Sequence, residues 1–113
     1  MAERHQAYAN GVLRITPTAV PSGLAISGEI DEATYAGLVT SLHELAEGQE
    51  VVQLDLGGVS YCDLAGLRAI VRLALGDGAA PGRRVLLRNV PQYIRAVLAI
   101  TGWDALPGLS VEP

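Results

Sequence analysis

Three acidic side chains sit where an α/β protein would put chemistry. Asp31, Asp55 and Asp63 fall at or near the ends of apolar, β-branched runs. Acids grouped at strand ends can hold a divalent cation and accept a phosphate. That chemistry needs an adjacent acidic pair on the first strand and a lysine on the last, and the chain has neither. The residue types fit helix capping better: Asp leads the N-cap preference, which is worth about 1 kcal/mol per helix. Cys62, directly before Asp63, would be a thiolate nucleophile only with an activating neighbour. No histidine lies near it in sequence, so it is expected to be a buried, inert thiol. His5 and His43 are far apart and lack an acid or cysteine at ligand spacing, which leaves both as surface histidines and no metal site. Gly57-Gly58 and Gly76-Asp77-Gly78 lack the spacing and the lysine of a phosphate loop, and both are expected to be turns.

Bulk composition removes further classes. The 113 residues suit one domain, and a single cysteine excludes an internal disulfide. All eight basic residues are arginine, so Schiff-base chemistry and lysine phosphate clamps are absent. That usage, with abundant Ala and Gly, points to coding bias in a GC-rich bacterial genome. A net charge of -4 is the wrong sign for a nucleic-acid footprint. The polar N-terminus is not a signal peptide, and apolar stretches broken by Arg68, Arg72 and Arg95 fall short of the ~20 residues a membrane span needs. A soluble, cytoplasmic protein without cofactor is expected.

The elements that would position these residues follow from periodicity. Residues 1–10 read as a tail or weak edge strand, and residues 11–113 as the domain. Strands are expected over 11–18 and 24–30, joined through the Pro21-Ser22-Gly23 turn. Asp31 then caps a helix whose Leu38, Leu42 and Leu45 share a stripe with Val39 and Ala46. A strand over 51–56 turns at Gly57-Gly58 and continues to Cys62. Asp63 caps a second helix with Leu67, Ile70, Val71 and Ala74 on one face and Arg68 and Arg72 on another. Val85 to Leu87 forms the next strand. Asn89 is expected to cap a third helix with Pro91 in its first turn and Gly102 at its end. A last short strand lies near Leu109 and Val111. Such alternation predicts an α/β domain with a mixed, largely parallel sheet of about four to five strands and helices packed on it. Asp31, Asp63 and Asn89 should then share the edge where strands give way to helices.

With these elements assigned, two motifs carry a resemblance. Residues 51–67 (VVQLDLGGVSYCDLAGL) resemble the STAS domain family, typified by anti-sigma factor antagonists: an apolar strand with a hydrophobic-Asp step, then Asp-Ser/Thr-Ser/Ala-Gly-Leu opening a helix. Residues 24–31 (LAISGEID) resemble the family's strand ending in Gly-Glu-Ile/Leu-Asp. The resemblance implies a STAS-type fold over residues 11–112 and a non-enzymatic adaptor. It implies an anti-sigma factor or related kinase of the histidine-kinase-like ATPase fold as partner, released when a serine or threonine at the helix start is phosphorylated. Asp31, Asp63, Leu64, Ala65, Gly66, Leu67 and Arg68 are the partner-binding candidates that it implies. The phosphorylated position falls on Ala65 and its hydroxyl neighbour on Leu64, so no phospho-switch is expected. The alternatives are a STAS subunit of another assembly, such as a lipid-transport ATPase complex or a stress sensor, and a small-ligand or nucleotide-binding module. Apolar surface at Leu64 and Trp103 leaves a homodimer open.

Overall fold

The computed structural model describes residues 8–9, 12–19, 22–76 and 82–113. Its elements are β1 (Tyr8–Ala9), β2 (Leu13–Ala19), β3 (Ser22–Ile30), α1 (Tyr35–Ala46), β4 (Val51–Cys62), α2 (Leu64–Leu75), β5 (Arg84–Arg88), α3 (Gln92–Thr101), a single 3-10 turn (Trp103–Ala105) and β6 (Leu109–Val111). The sheet runs β1-β2-β3-β4-β5-β6 in chain order. β1, β2 and β3 pair antiparallel, and β3 through β6 pair parallel. Five strands have three residues or more, and β1 adds a two-residue edge.

Sequential parallel strands joined by right-handed crossovers put all three helices on one face. Burial along the strands agrees. Val52, Leu54 and Leu56 of β4 are buried while Val51, Gln53 and Asp55 are not. The buried face continues through Ile15, Ile26, Val85, Leu87 and Leu109, and α1, α2 and α3 cover it with Leu38, Leu42, Leu67, Ile70, Ile94 and Leu98. The other face carries a row of Thr16, Ala25, Asp55 and Arg88, registered across four strands. Parallel sheets are usually covered on both faces. Here the polar alternation makes one face solvent-compatible, so a two-layer domain suffices.

Four local expectations need correction. Ser22 and Gly23 are already paired in β3, opposite Ala19 and Thr18; Pro21 lies outside the described residues. Gly57 and Gly58 are not a turn but run through the middle of β4. Ala25 pairs with Asp55 and Ser27 with Gly58, so β4 carries one extra residue there, and a second between Val59 and Tyr61. The reason for glycine is close approach: a Cβ on Gly58 would lie 2.6 Å from Ser27 Cβ. Each bulge flips the inward phase. The first moves it from Leu56 to Val59. The second turns Tyr61 out and Cys62 towards the core.

Asp31 does not cap α1. The helix starts four residues later at Tyr35, because residues 31–34 form a turn of their own. Asp31 Oδ1 accepts from the amides of Ala33 (3.0 Å) and Thr34 (3.2 Å). The fully buried Thr34 hydroxyl donates to the Glu29 carbonyl and accepts from the Asp31 amide, each at 3.0 Å. Asn89 likewise does not cap α3. It takes a left-handed conformation, φ 53°, and turns the chain, while Pro91 occupies the cap position just before the helix. Gly102 (φ 81°) ends α3 as expected, and Gly76 ends α2; Asp77 and Gly78 lie outside the described residues.

Thr34 therefore joins β3 to α1 through buried hydrogen bonds that a same-shaped apolar side chain cannot make. Thr34→Val should lower folding stability by about 1–3 kcal/mol, measured by urea unfolding. An unchanged midpoint would show that the turn does not depend on the hydroxyl.

Candidate functional site

The helix start at Asp63 is built from three interlocking contacts. Asp63 is extended (φ -80°, ψ 172°), and its Oδ1 accepts from the Gly66 amide at 2.8 Å. Its own amide donates to the Ile30 carbonyl at 3.0 Å, which ties the end of β4 to the end of β3. Gly66 lies against Ile30 so closely that a Cβ would come within 2.2 Å of Ile30 Cγ2. The capping acid and the glycine three residues later thus act together: one ends the helix with a satisfied donor, the other lets the helix settle onto the neighbouring strand.

This arrangement sorts the candidate residues. Asp31 and Asp63 share the sheet edge, at the ends of adjacent strands, and each carboxylate holds its own local turn. Leu64, Ala65 and Arg68 are exposed, Leu64 by 50%. Gly66 and Leu67 are buried and support that surface from beneath. Leu64 and Trp103 do not share a patch. Leu64 begins α2 where the parallel strands end, whereas Trp103 follows α3 at the end where they begin and packs partly on the core. The nearest hydroxyls to the helix start are accounted for elsewhere: Ser60 Oγ donates to the Gly28 carbonyl at 3.2 Å, and the exposed Tyr61 lies on the strand side of Asp63.

Sequence reasoning missed the aromatic residues of this edge. Tyr35 opens α1, Tyr61 lies near the end of β4 and Tyr93 lies in the first turn of α3; they are 38%, 51% and 40% exposed. Tyr93 Oη donates to the Val59 carbonyl at 3.0 Å, fastening α3 to the bulged end of β4. The signal was present as three of only four tyrosines, each near an element boundary. It became legible only when the parallel topology brought those boundaries to one edge.

Cys62 is half-buried, and its thiol contacts the Asp63 carbonyl at 3.5 Å. Burial, and then the Asp63 charge, push it up to about 12 from an ordinary 9.0. Burial also raises Tyr93, with a further contribution from Cys62. No group of three or more His, Cys, Asp or Glu is placed to hold a metal among the described residues. No helix among them is long and apolar enough to cross a membrane.

The raised thiol has a signed consequence. Below pH 9.0 it is protonated in both folded and unfolded chains, and its favourable contribution is complete. Between 9.0 and about 12 the unfolded chain ionises first, so that contribution is lost as pH rises. Urea unfolding across this window should show a steeper loss for the wild-type chain than for Cys62→Ala, which retains Tyr93. Parallel curves would contradict the assignment.

Comparison with known proteins places this geometry. Residues 13–109 match a family model described as Mlab, STAS domain. Among solved structures, an anti-sigma factor antagonist from Mycobacterium paratuberculosis shares the fold with a TM-score of 0.61 at 24% identity, covering 96% of this chain and 84% of that one. No curated protein matches the chain significantly. The match over nearly the whole described domain, together with the Asp-capped helix start after the bulged strand, establishes that the chain belongs to the STAS domain family.

Proposed function

We propose that this STAS domain is a non-enzymatic, cytoplasmic adaptor that docks a protein partner through the start of α2. The carrying observation is the surface around that start: exposed Leu64 and Ala65, with Arg68 behind them, beside three exposed tyrosines on the same sheet edge. Interface cores are enriched in tyrosine and arginine and depleted in acids and lysine, and α2 contains no acidic residue. Asp63 and Gly66 hold this surface rigid before binding, which limits the ordering cost of association. The fold shared with an anti-sigma factor antagonist supports an anti-sigma factor or related protein as the partner.

Leu64 and Ala65 carry no hydroxyl, so the adaptor is not switched by phosphorylation at the helix start. The same observation supports a second reading, a STAS subunit of another assembly such as a lipid-transport ATPase complex or a stress sensor. A constitutive apolar contact needs no kinase as partner.

The test uses purified anti-sigma factors of the histidine-kinase-like ATPase fold with ATP and the full chain. One of them should bind, with no phosphate transferred to the chain, and Leu64→Asp should weaken binding by at least about tenfold while leaving the fold intact. Efficient phosphate transfer would overturn the unswitched reading. Equal binding by Leu64→Asp would overturn the assigned surface. Failure of every such factor to bind would favour the second reading.

A further inference from the structure

The seam between α1 and α2 holds a groove of about 350 Å³, within the ~300–1,000 Å³ range of small-molecule sites. It lies along the helix layer and shares only Tyr35 with the helix-start edge. Tyr35, Val39 and His43, four residues apart on α1, form one wall. Ala69, Arg72 and Leu73 of α2 form the other, and Arg83 closes one end.

The charge of this groove opposes that of the protein. The chain carries net -4, yet among the described residues no carboxylate lines the groove, and its permanent charges are the two guanidinium groups of Arg72 and Arg83. Arg83 is fixed, its Nε donating to the Ala46 carbonyl at 2.9 Å. The Arg72 guanidinium makes no hydrogen bond or ion pair to any described residue. With no carboxylate opposite either guanidinium among the described residues, an anion bound in the groove can accept charge-assisted hydrogen bonds from both. Val39, Ala69 and Leu73 between them add an apolar floor.

We propose that the α1–α2 seam binds a small organic anion, its phosphate or carboxylate head held by Arg72 and Arg83 and its apolar body laid on Val39, Ala69 and Leu73. The residues that would hold the anion, Arg72, Arg83, Val39, Ala69 and Leu73, are distinct from those of the helix-start surface; of the groove lining only Tyr35 also belongs to that edge.

Amide chemical shifts of the full chain, titrated with phenyl phosphate, benzoate, inorganic phosphate and phenol, test it. Phenyl phosphate or benzoate should give saturable shifts at groove residues in the millimolar range, with inorganic phosphate weaker and phenol weaker still. Arg72→Gln should weaken the tighter organic anion about tenfold with an unchanged circular dichroism spectrum, and Arg14→Gln, on the open sheet face, should not. Absence of saturable shifts, shifts indifferent to Arg72→Gln, or phenol binding as tightly as the anions would each overturn the proposal. A glutamate-rich peptide that shifts the groove when neither organic anion does would overturn it in favour of a protein side chain as occupant.

Discussion

A helix can rest on its neighbouring strand only as closely as its side chains allow, and in this protein that distance is set at Gly66. With no Cβ, Gly66 brings the first turn of α2 against Ile30, where any other residue would collide. Asp63 makes the approach productive. Its carboxylate satisfies the Gly66 amide, and its own amide satisfies the Ile30 carbonyl, so neither backbone group is left unpaired at the join. The positions of Leu64, Ala65 and Arg68 follow from these contacts, since the next residues of the helix have no freedom once its start is pinned. The surface offered for docking is a by-product of a packing constraint.

The one-faced sheet extends the same logic. Because β3 through β6 lie in chain order and run parallel, the three helices share one layer, and all three begin at one edge. Residues remote in sequence, such as Tyr35, Tyr61 and Tyr93, are brought to that edge without any dedicated loop. The same layer leaves a seam between α1 and α2, where chain segments about thirty residues apart enclose a groove between two arginines. The opposite, largely polar face carries Arg88 paired with Glu112 at 3.2 Å and has no helix layer of its own among the described residues.

Much of this was legible in the sequence, and the exceptions have a common cause. Asp63 as a cap, the inward stripes of the helices and the succession of strands and helices along the chain all rest on local rules of spacing that the fold obeys. Gly57-Gly58 looked like a turn because glycine pairs commonly are; its role as a bulge depends on Ser27 in a strand some thirty residues away. Asp31 looked like a cap for the same local reason. Buried Thr34 instead spends its hydroxyl on Glu29 and Asp31, a choice that only burial enforces. The outward turn of Tyr61 follows from two register shifts that no alternation pattern in a single strand contains. The helix-start surface was visible as a motif, whereas its aromatic border and the α1–α2 groove arise from which elements the topology makes neighbours.

The central claim is that the start of α2 is a pre-formed platform, locked by the Asp63 cap and the Gly66–Ile30 approach. Native-state hydrogen exchange of the free protein tests this most directly. The Gly66 amide should exchange only with opening energies near those of the core strands, while the amides of Leu64 and Ala65, in the unsatisfied first turn of the helix, exchange fast. A Gly66 amide that exchanges as readily as those of Leu64 and Ala65 would show that the helix start frays in the free protein, and the platform would then have to form on binding.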